Sequence, residues 1–342
     1  MMRKFLVTGG AGFIGSAFVR LLLDELADVL VINLDLLTYA GNRDSLEGLD
    51  QQRHQFLHGD IADPETVAQA LGDDCEAIIN FAAESHVDRS IADCAEFLRT
   101  NIVGTQVLLD AARKHGVRRF VQVSTDEVMG SLPETGTRYF TEQSPFAPNS
   151  PYAASKAAAE HLVRAAHHTF GLDTVVTRCG NNYGPRQFPE KFLPLVIANA
   201  LNDEPIPIYG DGKNVRDWIY VEDHCRAILL ALENGVSGAV YNIGARNERR
   251  NIDVVESVLD TLGKPHSLMQ FVKDRLGHDR RYAIDPALVE TELGWRPLET
   301  WESGLQKTIQ WYQDNDEWLE RVRSGAYRDY YRNQYGVEVG RI

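Results

Sequence analysis

The sequence is short of what several kinds of function require. Only four cysteines occur in 342 residues (Cys75, Cys94, Cys179 and Cys225), and none forms a Cys-x-x-Cys pair. That spacing argues against a disulfide frame or a thiolate metal site, and no metal is expected. No run approaches the roughly 20 apolar residues of a membrane span. Met1 to Phe5 leads into a strand-like segment with no secretory pattern before it. Basic residues are in deficit, 35 Lys and Arg against 49 Asp and Glu, for a net charge of −14. A basic face for nucleic acid is therefore not expected. These shortages predict a cytoplasmic protein with free thiols that binds neither nucleic acid nor membrane.

What is present is ordinary in amount and unusual in arrangement. Hydrophobic content of 44% and charged content of 25% suit a globular chain long enough for a large core. Phe5-Leu6-Val7 is a short apolar strand, followed at once by Thr8-Gly9-Gly10-Ala11-Gly12-Phe13-Ile14-Gly15. Gly9, Gly12 and Gly15 lie three apart, and a helix from Phe13 to Leu26 begins inside the motif. Such a turn lets backbone approach a pyrophosphate, which the helix N-terminus attracts. A second strand, Val29 to Leu34, ends in Asp35, about 20 residues past the last glycine, where an acid accepts ribose hydroxyls. An acid there disfavours a 2′-phosphate, so NAD is the expected cofactor. Strand–helix alternation continues through Phe56–Gly59, Ala77–Phe81 and a helix from Glu96 to His115. This predicts an α/β, Rossmann-type, doubly wound parallel sheet.

The apolar run Phe120-Val121-Gln122-Val123 then carries Ser124-Thr125-Asp126-Glu127-Val128 at its carboxyl end. An open α/β sheet binds its ligands at that end of a strand. Two adjacent acids would repel phosphates but suit chemistry that moves two protons. A polar loop, Gly130 to Asn149, precedes a helix with Ser150 as N-cap and Pro151 at its first position, running to about Phe170. Tyr152 and Lys156 are four apart on one face. A cation beside a phenol lowers its pKa, which would make Tyr152 a usable base near neutral pH.

Beyond a strand at Asp173–Thr177, residues 178–189 read as an ordered loop. Phe192–Leu195, Pro205–Tyr209 and Gly210–Gly212 read as short elements with tight turns. A strand follows at Arg216–Val221, then a helix at Asp223–Leu232, a strand at Ala239–Ile243 and a helix near Asn251, which could simply be its cap. Arg275, His278, Asp279, Arg280 and Arg281 cluster before Tyr282 and could grip a diphosphate. Helices are expected near Trp301–Tyr312 and Glu317–Arg323. The expected division is an NAD-binding domain of residues 1–177, with 222–246 returning to it. Residues 178–221 and 247–342 would form a smaller substrate-binding lobe.

These residues resemble the dTDP-glucose 4,6-dehydratase family of the extended short-chain dehydrogenase/reductase superfamily. The resemblance rests on Ala82-Ala83-Glu84-Ser85-His86-Val87-Asp88-Arg89-Ser90, Thr125-Asp126-Glu127, Asn181-Asn182-Tyr183-Gly184-Pro185, Gly210-Asp211-Gly212 with Arg216-Asp217-Trp218, and Gly277-His278-Asp279. It covers nearly the whole chain. Three positions depart from the family pattern. Leu36 stands where a lysine is usual, Leu276 where a proline is usual, and Met129 where a tyrosine is usual, close enough to the site to alter sugar fit.

The resemblance implies tightly bound NAD, regenerated each turnover, held by Gly9, Gly12, Phe13, Ile14, Gly15, Asp35, Thr38, Asp60, Ile61, Ala82, Ala83, Thr100, Ser124, Tyr152, Lys156, Cys179 and Asn181. It implies a nucleotide sugar held by Ser85, His86, Thr125, Asn182, Lys191, Pro207, Tyr209, Arg216, Asn251, Arg275 and His278. Thr125, Asp126, Glu127, Tyr152 and Lys156 would be catalytic. Tyr152, activated by Lys156, would take the proton from the hydroxyl at sugar carbon 4, Glu127 the proton at carbon 5, and Asp126 would protonate the hydroxyl leaving carbon 6. The family also implies a homodimer through the helices Glu96–His115 and Pro151–Phe170. A UDP- or CDP-linked hexose stays open as substrate. A 4-epimerase needs no acid–base pair for elimination, and an NAD-sensing regulator would have no use for Tyr152, Lys156 and the acids.

Overall fold

The alternation of apolar and amphipathic segments builds one long parallel sheet and a smaller lobe beside it. The structure, a computed structural model, describes residues 2–323. Residues 324–342 of the expected substrate lobe lie outside the described residues. The chain opens with β1 (Arg3–Thr8), α1 (Phe13–Glu25), β2 (Val29–Asp35), β3 (His54–His58), α2 (Pro64–Leu71) and β4 (Cys75–Asn80). Two short helices follow, α3 (Val87–Ala92) and α4 (Ala95–Phe97). α4 runs through a π-helical stretch, Leu98–Gly104, into α5 (Thr105–Lys114) with helical backbone at each junction. The helix expected from Glu96 to His115 is thus present, with a wide turn that apolar periodicity does not reveal.

Next come β5 (Arg119–Thr125), a 3-10 turn (Asp126–Met129) and α6 (Pro151–Phe170). Ser150 caps α6, its hydroxyl accepting from the Ala153 N–H at 3.1 Å. β6 (Thr174–Cys179), β7 (Asn181–Tyr183) and α7 (Phe192–Leu201) follow. Two expectations are corrected here. The stretch 178–189 contains a strand, since β7 finds a parallel partner further along the chain at Trp218–Tyr220. Residues 192–195 begin a helix of ten residues, because Pro194 falls in the first turn, where no internal N–H bond is lost.

The chain ends with β8 (Ile206–Tyr209), β9 (Val215–Tyr220), α8 (Val221–Asn234), β10 (Val240–Ile243), β11 (Glu248–Arg250), α9 (Asn251–Leu262), β12 (Met269–Val272), α10 (Ala287–Leu293), α11 (Trp301–Asp314) and α12 (Asp316–Val322). Asn251 is not the cap of α9: Arg250 holds that position and Asn251 is the first helical residue.

The main sheet is parallel throughout, in the order β3-β2-β1-β4-β5-β6-β10. One apolar cluster joins it to Phe18 and Leu22 of α1 and Ile228 of α8. Another joins it to Val67 of α2, Leu108 of α5 and Val163 of α6. Helices on both faces explain why apolar runs such as Phe5-Leu6-Val7 and Ala77-Ile78-Ile79 are buried in the strand centres. The strand order reverses between β1 and β4, which opens a crevice at their carboxyl ends. A third cluster, including Trp218, Val254, Trp301 and Tyr312, forms the core of the C-terminal lobe around β11-β9-β7 and β12-β8. No helix among the described residues is long and apolar enough to cross a membrane.

Candidate active site

The glycine loop makes an anion seat out of backbone. Gly9 takes φ +69°, and a Cβ there would fall 2.6 Å from the Ala82 nitrogen. The ends of β1 and β4 approach this closely only because residue 9 has no side chain. A Cβ on Gly15 would meet the Gly9 oxygen at 2.2 Å. α1 then begins with Gly12 as N-cap, without a side-chain cap and without an acid in its first turn. The opening residues Phe13, Ile14 and Gly15 line the cleft, so uncapped N–H groups and the helix dipole both favour a diphosphate there. Asp35 accepts from the N–H groups of Ala11 (2.9 Å) and Leu37 (2.8 Å). Burial pushes its carboxyl up, and the two backbone donors oppose that.

One cleft of about 330 Å³ takes in every residue expected around the cofactor, from Gly9, Thr38, Asp60 and Ile61 to Ala82, Ala83, Thr100, Cys179 and Asn181. Its far end is formed by Ser124, Thr125, Asp126, Glu127, Tyr152 and Lys156. Thr125 caps the turn after β5: its hydroxyl accepts from Glu127 N–H and donates to Asp126 Oδ1, both at 3.3 Å. Asp126 is 2% exposed, and its Oδ2 has no partner among the described residues. Burial drives the Asp126 carboxyl well above the usual carboxylate range, and Glu127 adds to this against Arg216. Burial raises Glu127 too, but Arg275, Arg216 and Lys191 all oppose it. Of the two neighbours, Asp126 is therefore pushed further toward the protonated form than Glu127.

α6 presents Tyr152, Lys156 and Glu160 at four-residue intervals on one face. The Lys156 ammonium donates to the Val123 carbonyl at 2.7 Å, and burial pushes its pKa down to about 8. The expectation that Lys156 lowers the Tyr152 phenol is not met. Burial pushes that phenol well above its ordinary value, and Glu127, Cys179 and Asp126 push the same way. After burial, the field at the phenol comes from the acids of the adjacent turn and Cys179, with a hydrogen bond between Thr125 and the phenol opposing them.

Ser124 lines the cleft, and its hydroxyl donates to Glu160 Oε1 at 2.5 Å. Met129 does not line the cleft. It is 3% exposed in a cluster with Leu132, Phe140, Ala157 and Tyr282, so it shapes the turn from below. Leu36 does line the cleft beside Asp35, whereas Leu276 is 72% exposed and does not.

Of the residues expected on the substrate, Ser85, Thr125, Asn182 and Lys191 line the cleft. Lys191 donates to the Ser85 carbonyl at 2.7 Å, and Asn182 Oδ1 lies 2.9 Å from His224 Nδ1. His86, Pro207, Tyr209, Arg216, Asn251, Arg275 and His278 stand outside its lining. Several of these gather around Asp88, with Arg275 Nε at 3.8 Å and the Tyr209 hydroxyl at 3.5 Å. The Tyr209 and His278 rings are 6.0 Å apart. Arg216 lies 4.3 Å over the Tyr282 ring and donates to the Asp279 carbonyl at 3.0 Å. Pro207 pairs with Gln270 inside the lobe, and the Asn251 N–H donates to the Asn214 carbonyl at 2.9 Å.

Two residues of the site escaped the sequence reading. Glu190 has a fully buried carboxylate 3.7 Å from Arg89 and 3.9 Å from His86, and burial pushes it up to about 7. An acid enclosed in Phe188-Pro189-Glu190-Lys191-Phe192 was a usable signal. Tyr282, whose hydroxyl donates to Asp279 Oδ2 at 2.5 Å, had none beyond its place after the arginine cluster. Among the described residues no group of three His, Cys, Asp or Glu is set to hold a metal.

Residues 6–308 match the family described as GDP-mannose 4,6 dehydratase. The chain is 51% identical to a dTDP-glucose 4,6-dehydratase of Xanthomonas campestris pv. campestris (strain B100), covering 96% of this chain and 98% of that one. It is 50% identical to dTDP-glucose 4,6-dehydratase 1 of Escherichia coli (strain K12), covering 97% and 99%. Among solved structures, it is similar to the dTDP-glucose 4,6-dehydratase of Streptomyces venezuelae with NAD bound. That likeness has a TM-score of 0.90 and 50% identity over 93% of this chain and 99% of that one. A UDP-glucose 4-epimerase of Thermus thermophilus, also with NAD, has a TM-score of 0.85 at 32% identity, covering 91% and 99%.

Proposed function

The chain belongs to the dTDP-glucose 4,6-dehydratase family, and from that premise we propose which of its residues carry out each step. The reaction is the NAD-dependent dehydration of dTDP-glucose to the 4-keto-6-deoxy sugar. NAD, held by the glycine loop, the open start of α1 and Asp35, supplies when bound a hydride acceptor for carbon 4, a hydride donor for carbon 6 and a positive charge in the cleft. Tyr152 takes the proton of the carbon-4 hydroxyl, Lys156 on the same helix face holds α6 to β5 and adds positive charge to the cleft, and Thr125 hydrogen-bonds the same oxygen. Once carbon 4 is a ketone, the hydrogen at carbon 5 is acidic. Glu127 removes it, Asp126 protonates the hydroxyl departing from carbon 6, and water is lost.

One observation carries the division between the acids. Burial raises both carboxyls, but at Asp126 the Glu127 charge adds to the rise against Arg216, while at Glu127 Arg275, Arg216 and Lys191 all oppose it and only Asp279 adds. A buried pair split this way offers one acid and one base at neutral pH. The diphosphate is assigned to Arg216, Asn251 and Arg275 with Asn182, the base to Lys191, Pro207 and Tyr209, and His278 stays with the cluster beside the diphosphate. In this reading residues 1–177 and 222–246 bind NAD, and 178–221 with 247–342 bind the nucleotide sugar. Incubation with dTDP-, UDP- and CDP-hexoses, followed by mass spectrometry, tests the assignment. dTDP-glucose should lose one water fastest. A product of unchanged mass would favour epimerisation, against which the Asp126–Glu127 pair argues.

The chain is further read as a homodimer through α4, α5 and α6. Leu98 and Val103 on the π stretch and Phe170 at the end of α6 are each about half exposed, at 46%, 50% and 54%. Sedimentation at micromolar concentration should give twice the chain mass, and a monomer would reject this surface.

A further inference from the structure

Glu160 and Arg178 form an ion pair whose side chains are each 3% exposed, with Nη2 to Oε2 at 2.7 Å. The Arg178 Nε adds contacts of 3.1 and 3.0 Å to the two carboxylate oxygens. Neither residue lines the cleft. A buried pair of this kind is weak support for a fold, since apolar residues of similar volume are often as stable in its place. Its other partners indicate what it holds. Glu160 Oε1 accepts the Ser124 hydroxyl at 2.5 Å. Arg178 Nη1 donates to the Met129 thioether at 3.7 Å, and its guanidinium lies 4.9 Å over the Phe146 ring.

The turn Asp126–Met129 is therefore tied at both ends to one ion pair: through Ser124 just before it and through Met129, its last residue. Glu160 also stands on the face of α6 that carries Tyr152 and Lys156. Its charge opposes the fall that burial imposes on the Lys156 ammonium. We propose that Glu160, locked by Arg178, is a positioning residue that keeps Asp126 and Glu127 in register with Tyr152 and Lys156. The inference rests on the dehydratase reading. In that reaction the helix residues act on the oxygen at carbon 4 and the turn residues on carbons 5 and 6 of the same bound sugar. A misplacement of about 1 Å between two such groups can cost about a hundredfold in rate.

The test uses the full-length enzyme with NAD and dTDP-glucose. Ser124→Ala removes one hydroxyl and leaves the pair intact. Glu160→Leu with Arg178→Met removes the pair, and Glu160→Gln with Arg178→Met keeps an acceptor for Ser124. The readouts are kcat, KM, the near-ultraviolet absorbance of reduced nicotinamide during turnover, and thermal melting. Ser124→Ala and the Leu/Met variant should lower kcat about 10- to 100-fold with little change in KM. Reduced nicotinamide should build up, because oxidation proceeds while elimination lags. The Gln/Met variant, which keeps the tie to Ser124 and loses those through Arg178, should recover part of the rate. Wild-type kcat without build-up in Ser124→Ala overturns the proposal, as does a Gln/Met variant no better than Leu/Met. Wild-type enzyme that releases no water from dTDP-glucose sinks the dehydratase reading itself, a separate result.

Discussion

The Lys156 ammonium is anchored to the Val123 carbonyl at 2.7 Å, so the helix that carries Tyr152 is pinned to the strand that delivers the two acids. Lys156 thereby does two things, holding geometry and supplying positive charge. Lys156→Met should lower kcat by about 10²–10⁴-fold, the range of general-base catalysis, and Tyr152→Phe should match it. Because the anchor is lost only in the first, Lys156→Met should also lower the melting temperature while Tyr152→Phe leaves it nearly unchanged. Equal melting curves for the two variants would count against the anchoring role.

Glu127→Gln keeps the shape of the turn and removes the base for carbon 5. Oxidation at carbon 4 should survive, so reduced nicotinamide appears on adding dTDP-glucose, while exchange of the carbon-5 hydrogen with solvent deuterium stops. Asp126→Asn should differ, with exchange at carbon 5 retained and loss of water suppressed. Finding both variants equal in deuterium exchange would remove the division of labour between these acids.

The pH dependence of kcat follows from the direction of each shift. Glu127 must be ionised, and burial raises it, so the acid limb should lie above the usual carboxylate range. Asp126 must be protonated, and Lys156, pushed down to about 8, must stay charged. Activity should therefore fall as pH rises through about 8. A profile flat from pH 7 to 10 would contradict the Lys156 assignment.

Stability should vary with pH through Asp217, which burial raises from 3.8 to about 7 although the Asn247 N–H donates to it at 2.7 Å. A carboxyl raised in the folded state contributes stability that is complete below its unfolded pKa and lost as pH rises through the folded value. Between about pH 4 and pH 7 the wild-type melting temperature should decline. Asp217→Asn should flatten that part of the curve, and an unchanged slope would assign the effect to another group.

Much of this site could be read from local sequence because its parts are local. Three glycines, an acid ending the next strand, a hydroxyl and two acids ending another, and a tyrosine and lysine one helical turn apart each need only their own neighbours. What escaped depends on residues far apart in the chain. The strand at Asn181–Tyr183 exists because Trp218–Tyr220 lies beside it. The Ser124 hydroxyl faces Glu160 because α6 returns across β5. The Tyr152 phenol is raised by burial and by Glu127, Cys179 and Asp126, neighbours that the helical spacing of Tyr152 and Lys156 does not reveal.

The place of β10 has a consequence for how the chain is made. β6 lies between β5 and β10, yet β10 is Val240–Ile243, more than sixty residues later, with much of the second lobe encoded between them. During synthesis β6 is a bare parallel edge until Ile243 has left the ribosome, and such edges pair slowly and invite aggregation. A fragment stopped near residue 180 would carry the whole glycine loop and both acids and still present that edge to every other copy.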